Sequence, residues 1–227
     1  MKKKTFYTEA AYVFGLIILA FSTALMEKAD FGLSMVIAPA YILHLKVSQI
    51  LPFFSFGMAS YMVEGLLIIV MVLILRKFRL SYLFSFVTAV LYGLVLDLMI
   101  IIVSPIPADI IAVRVACYLF GMVFCALGVS LFFHTYISPE AYELFVKELS
   151  ARFGININKF KTCYDCVSCL IGIILSFAFF GLWHFEGVKL GTVFCALING
   201  WLIGRSSAIM EHFFEFKDGL KLKKYFQ

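Results

Sequence analysis

A chain of 227 residues that is 63% hydrophobic and 15% charged, with a mean hydropathy of +1.00, cannot cover the surface of a water-soluble domain. Soluble folds carry about 25% charged residues. The net charge of +5 is accounted for by membrane topology and attraction to anionic headgroups, so it calls for no nucleic-acid partner.

Runs of about 20 apolar residues are long enough to cross the hydrocarbon core as helices. The first covers about Ala10–Met26 and follows Lys2, Lys3 and Lys4. Those lysines resemble the front of a signal peptide, but no small-residue cleavage site follows, so the helix is expected to be retained. Phe31 to Leu43 is uncharged, contains Pro39 and is too short to span, which predicts a re-entrant or interfacial segment on the outer face. Three further spans are expected at about Phe53–Leu75, Leu80–Val103 and Val115–Phe133. An amphipathic helix is then predicted from Ser138 as N-cap, with Pro139 at the first helical position and Glu140 in the first turn. Ile137, Ala141, Leu144, Phe145 and Leu149 recur at helical spacing, so this helix is expected to lie on the inner surface. The last two spans are about Val167–Phe185 and Leu190–Met210, and 211–227 reads as a basic cytoplasmic tail. Nothing alternates in the ten-residue pattern of a membrane barrel. The expected fold is an all-α membrane protein, a single membrane domain filling the chain.

Basic residues set the orientation. Of nineteen, fourteen fall on one side: Lys2, Lys3, Lys4, Arg76, Lys77, Arg79, Lys147, Arg152, Lys159, Lys161, Lys217, Lys221, Lys223 and Lys224. Lys28, Lys46, Arg114 and Lys189 fall on the other, and Arg205 lies inside a span. This bias predicts both termini on the cytoplasmic side.

Two halves, about 10–103 and 115–210, share short stretches in the same order. Phe14-Gly15-Leu16 answers Phe120-Gly121-Met122, and Pro39-Ala40-Tyr41 answers Pro139-Glu140-Ala141-Tyr142. Tyr61 answers Tyr164, and the stretch from Arg79 to Phe84 answers that from Lys189 to Phe194. Three spans per half make the copies enter the bilayer upside down, so the six helices are predicted to form two inverted three-helix repeats. That is a common construction of secondary transporters.

Ionisable groups inside spans are costly and therefore mark candidate pathways. By depth, Glu64 and Asp97 form a carboxylate pair toward the outer side, expected to point into one cavity. Asp165 and Arg205 are expected to pair toward the inner side, and Asn199 near the centre of the sixth span could bond a substrate or a neighbouring helix. Cys163, Cys166 and Cys169 have metal-like spacing, but on a helix they drift around a face and lack a fourth ligand nearby. They are read as small apolar groups at a helix interface, with no metal and no cofactor expected. No Walker A, Gly-x-Ser-x-Gly or His-Glu-x-x-His motif occurs, so an enzyme is not expected.

The Phe31-Gly32-Leu33-Ser34 turn, and Gly191-Thr192-Val193 through Gly200 and Gly204, resemble the YczE/YyaS/YitT-like bacterial integral membrane proteins. Glu27-Lys28-Ala29-Asp30 and Ser138-Pro139-Glu140-Ala141-Tyr142 suggest one branch of that group. The resemblance implies an inner-membrane protein of unassigned biochemical activity. The first functional expectation is a secondary transporter or exporter of a small solute. The alternative is a substrate-binding or assembly subunit like the small capture components of vitamin transporters. The expected partners are the lipid bilayer and an unidentified solute, with a homo-oligomer or an energising ATPase left open.

Overall fold

The computed structural model describes residues 4–183 and 185–220. Lys2, Lys3, Lys221, Lys223 and Lys224 lie outside the described residues, as does the rest of the expected basic tail beyond residue 220. Short strands β1 (Lys4–Tyr7) and β2 (Phe214–Lys217) pair in parallel, Lys4 opposite Phe214 and Tyr7 opposite Lys217. Between them, among the described residues, run eight helices: α1 (Thr8–Ala29), α2 (Ala38–Val47), α3 (Phe56–Leu75), α4 (Leu80–Val103), α5 (Ile111–Phe133), α6 (Ala141–Phe153), α7 (Ile157–Phe180) and α8 (Leu190–Phe213). Six of them, α1, α3, α4, α5, α7 and α8, are long and apolar enough to cross a membrane. Since β1 leads into α1 and β2 continues α8, the ribbon holds the start of the first span and the end of the last at one end of the bundle.

The fifth span differs most from expectation. It begins ten residues before Val167 and stops at Phe180, where Gly181 takes a left-handed φ of 100°. The apolar run marks where a helix meets lipid, not where it starts. The first turns of α7 carry Lys161 and Asp165 into the bundle and leave Lys159 exposed.

The most buried helices, α1 and α5, pack against each other along their length. Glycine allows it. A Cβ on Gly128 would sit 3.0 Å from the Leu19 backbone nitrogen, and one on Gly121 would sit 3.1 Å from the Ser22 carbonyl oxygen. Small residues at such crossings replace the hydrophobic driving force that lipid does not supply. Helix α4 flanks α1, α8 flanks α5, and α3 packs on α4 where Gly57 and Gly93 meet backbone to backbone.

Both connecting helices turn back into the bundle. The Met35 carbonyl oxygen accepts a 2.8 Å bond from Ser168 Oγ midway along α7, and α2 then runs outward between α3 and α7. Pro39 occupies its first turn, where no amide is required. The uncharged stretch from Phe31 to Leu43 thus folds back among the helices.

Helix α6 departs from expectation. It starts at Ala141, not beside Ser138, and its N-cap residue Glu140 makes no capping bond with its own side chain. The Ser138 carbonyl oxygen instead accepts from Thr88 Oγ1 at 3.1 Å, and the Pro139 carbonyl from Ser85 Oγ. The Ala141 amide donates to Glu64 Oε2 at 3.2 Å. Glu64 lies about 12 Å from one end of α3 and about 16 Å from the other at 1.5 Å per residue. Helix α6 therefore begins near mid-depth and emerges at the terminal end, where Arg79 meets Glu148 at 3.0 Å. Tyr142, Leu144, Phe145, Val146 and Leu149 are all buried, packed among α3, α4 and α7 instead of lying on a surface. Amphipathicity indicated a buried face but not whether protein or lipid would cover it.

Candidate functional site

A cavity of about 760 Å³ lies between α1, α5, α6, α7 and α8, reaching the start of α2. That volume is in the range of sites for small organic molecules. Helix α6 delivers Glu140, Tyr142 and Glu143 to its wall, α7 delivers Lys161 and Asp165, and α8 delivers Asn199. Tyr142 donates to Asp165 Oδ1 at 3.0 Å, and the Lys161 ammonium lies 5.8 Å above the Tyr142 ring. Asn199 Nδ2 approaches Cys125 Sγ at 3.8 Å. Glu140 Oε1 and Asn199 Oδ1 are buried with no hydrogen-bond partner among the described residues.

Burial pushes the Glu140 carboxyl well above the usual carboxylate range, and the charges of Glu64 and Glu143 push it further. Glu143 is also raised by burial, partly opposed by Lys161. Two neighbouring acids that resist ionisation can hold protons beyond the usual carboxylate range.

The far end of the bundle, away from the termini, is held shut. Asp30, in a left-handed conformation at the end of α1, pairs with Arg114 at 3.2 Å and with Lys189 at 2.5 Å. Arg114 also donates to the Ala29 carbonyl at 2.8 Å, and Tyr118 OH donates to Gly191 O at 2.5 Å. The cavity lining instead continues along α8 through Ser207 to Glu211, toward the terminal end. There Glu211 meets His134 at 3.1 Å, and Tyr136 OH donates to Glu9 at 2.7 Å.

Of the five residues singled out in the sequence, the cavity gathers Asp165 and Asn199. Glu64 stands directly behind its wall, bonded to the Ala141 amide and to Ser60 Oγ at 3.5 Å. Asp97 does not share a cavity with Glu64. It accepts from Ser55 Oγ at 2.5 Å and from the Gly57 amide at 2.8 Å, and so fastens the start of α3 to α4. Arg205 does not pair with Asp165. It is exposed, with its guanidinium 5.7 Å from the Trp201 ring centre. Depth along a span was legible, but the direction each side chain faces was not.

Glu140, Glu143 and Lys161 were missed as site residues. Their signal was the acidic pair three apart behind a proline, hidden by assigning α6 to the surface. Cys163 and Cys166 are exposed, so a helix interface does not account for them. Among the described residues no three His, Cys, Asp or Glu side chains are grouped so as to hold a metal.

Asp97→Ala removes two charge-assisted bonds from the start of α3, so it is expected to cost about 1–3 kcal/mol of stability. Thermal denaturation in detergent checks this. A variant melting with the parent would show that the cap contributes nothing.

No match is found among curated proteins or among solved structures. A family profile does match, over residues 6–207. The chain belongs to DUF6198, a family of unknown function.

Proposed function

We propose that this multi-pass membrane protein is a secondary transporter that moves a small solute through the 760 Å³ cavity, coupled to protons carried by Glu140. The observation that carries the reading is a buried Glu140 oxygen with no partner among the described residues, at the start of a half-length helix on the wall of a cavity closed at one end. Interrupted helices that begin near mid-depth beside a substrate site are a recurring device of transporters. The helix neighbours support an inverted repeat. Exchanging α1 with α5, α2 with α6, α3 with α7 and α4 with α8 maps the α1–α4 packing onto α5–α8, α2–α3 onto α6–α7, and α2–α7 onto α6–α3. In this reading the protein sits in a bacterial inner membrane with cytoplasmic termini, and the resemblance to YczE/YyaS/YitT-like proteins is retained. The Asp30, Arg114 and Lys189 cluster is its closed outer gate.

The test uses purified protein in liposomes loaded with a pH-sensitive dye. Amino acids, small amines and small carboxylates are added outside one at a time. At least one is expected to drive proton movement above that of protein-free liposomes. Silence across the panel from correctly folded protein would remove the transport reading. Orientation is checked separately. Reporter fusions after Lys46 and Glu186 are expected outside, and those after Arg79 and Gln227 inside; an inside signal at Lys46 would refute the inverted arrangement.

A further inference from the structure

We infer that the cavity binds an amphipathic organic cation, which enters sideways from the bilayer between α7 and α8 and places its charged head beside Glu140, Glu143 and Asp165. The inference rests on the membrane-transport reading of the same cavity and names the class of its solute.

The side entrance comes from a missing packing contact. Helices α3 and α4 close against each other through Gly57 and Gly93, whereas α7 and α8, their counterparts in the second half, make no comparable packing. Helix α7 leans on α2 and α6, and α8 on α5. The cavity face of α8 carries Ala196, Gly200, Gly204 and Ala208, all exposed. A Cβ added at Gly200 or Gly204 meets nothing within 4 Å. These glycines, unlike Gly121 and Gly128, do not serve helix approach. They line a cleft within a membrane-spanning helix, where the surroundings are hydrocarbon.

The lining mixes two kinds of chemistry. Leu33, Met35, Val36, Val129 and Val146 are apolar and suit a hydrocarbon body. Glu140, Glu143, Asp165 and Glu211 are acids, set against one basic side chain, Lys161. Glu140 Oε1 and Asn199 Oδ1, both acceptors, are buried with no donor among the described residues. Unpaired buried acceptors carry the full desolvation penalty until a donor or cation arrives. An anionic head would need donors, and the re-entrant helix starts do not offer free ones. The Ala141 amide is taken by Glu64, and the Ala38 amide by the Ser34 carbonyl oxygen at 3.0 Å. A cation that takes the place of the Glu140 proton satisfies these acceptors, and the apolar lining selects one with a tail.

The experiment measures calorimetric binding to the full chain in lipid nanodiscs, with empty nanodiscs subtracted. Three probes separate head from tail: octyltrimethylammonium, tetramethylammonium and octyl sulfonate. Octyltrimethylammonium is expected to bind at least tenfold more tightly than either of the others. Gly200→Leu and Gly204→Leu place a side chain in open space, so both should keep the parent melting temperature. Each should lower octyltrimethylammonium affinity to the tetramethylammonium level while leaving tetramethylammonium unchanged. Glu140→Gln should weaken both cations at least tenfold. Equal binding of octyl sulfonate would overturn the inference, as would unchanged octyltrimethylammonium affinity in both leucine variants. A dimer in the parent that Gly200→Leu dissociates would also overturn it, by showing that a second copy fills the cleft. Proton-coupled flux of a hydrophilic solute without octyltrimethylammonium binding overturns this inference and leaves transport standing. Tail-dependent binding with no flux of any solute supports the site and removes transport.

Discussion

Glu140→Gln is expected to abolish solute-driven proton movement in liposomes while the protein remains folded. Glutamine preserves the size of the side chain and one oxygen acceptor but cannot bind and release a proton. The parent should also react with a hydrophobic carbodiimide, which attacks protonated carboxyls, near neutral pH. Labelling should decline as pH rises, because burial and the nearby Glu64 and Glu143 hold the Glu140 carboxyl protonated beyond the ordinary range. The linkage sign follows from the same shift. A carboxyl whose pKa is higher folded than unfolded contributes stability that is complete below the unfolded value and lost as pH rises through the folded one. Glu140→Gln removes that loss, so its melting temperature should gain on the parent as pH rises above the ordinary carboxylate range. Parent-like proton flux in the variant, or a stability difference independent of pH, would show that Glu140 carries no coupling proton.

Gly128→Val is expected to have the largest effect on folding. A Cβ at this position meets the Leu19 backbone nitrogen and Leu19 Cβ at 3.0 Å, and the Gly15 carbonyl oxygen at 3.1 Å. Two of these three neighbours are backbone, so rotamer changes cannot make room. Helices α1 and α5 must separate, and they form the centre on which α4 and α8 pack. Overpacking alone costs about 1–3 kcal/mol, occasionally more, and valine adds two methyl groups to the clash. The expected result is loss of the monodisperse species in size-exclusion chromatography, or a melting temperature lower by many degrees. Gly204→Ala is the control, since its Cβ meets open space and should leave melting unchanged. A Gly128→Val protein that melts like Gly204→Ala would mean that close approach of α1 and α5 is not what holds the bundle together.

Much of the architecture follows from the sequence by itself, because the bilayer imposes a length and a composition on every crossing. Six apolar helices, the uncharged turn-back between Phe31 and Leu43, and the apolar face of α6 all follow from that constraint. Intramembrane polarity likewise marked Asp165 and Asn199, which reach the cavity, and Glu64, which stands against it. Sequence position gives depth along a span but not the direction a side chain faces, since that depends on which neighbours the helix packs against. Asp97 turned to cap α3, and Arg205 turned outward over Trp201. The tertiary structure alone decided that α6 inserts among α3, α4 and α7, which turned Glu140 and Glu143 from surface charges into cavity groups. It alone decided as well that α7 and α8 stay apart while α3 and α4 close. Packing between distant segments determines both, and an apolar face is equally compatible with protein and with lipid until its neighbours are placed.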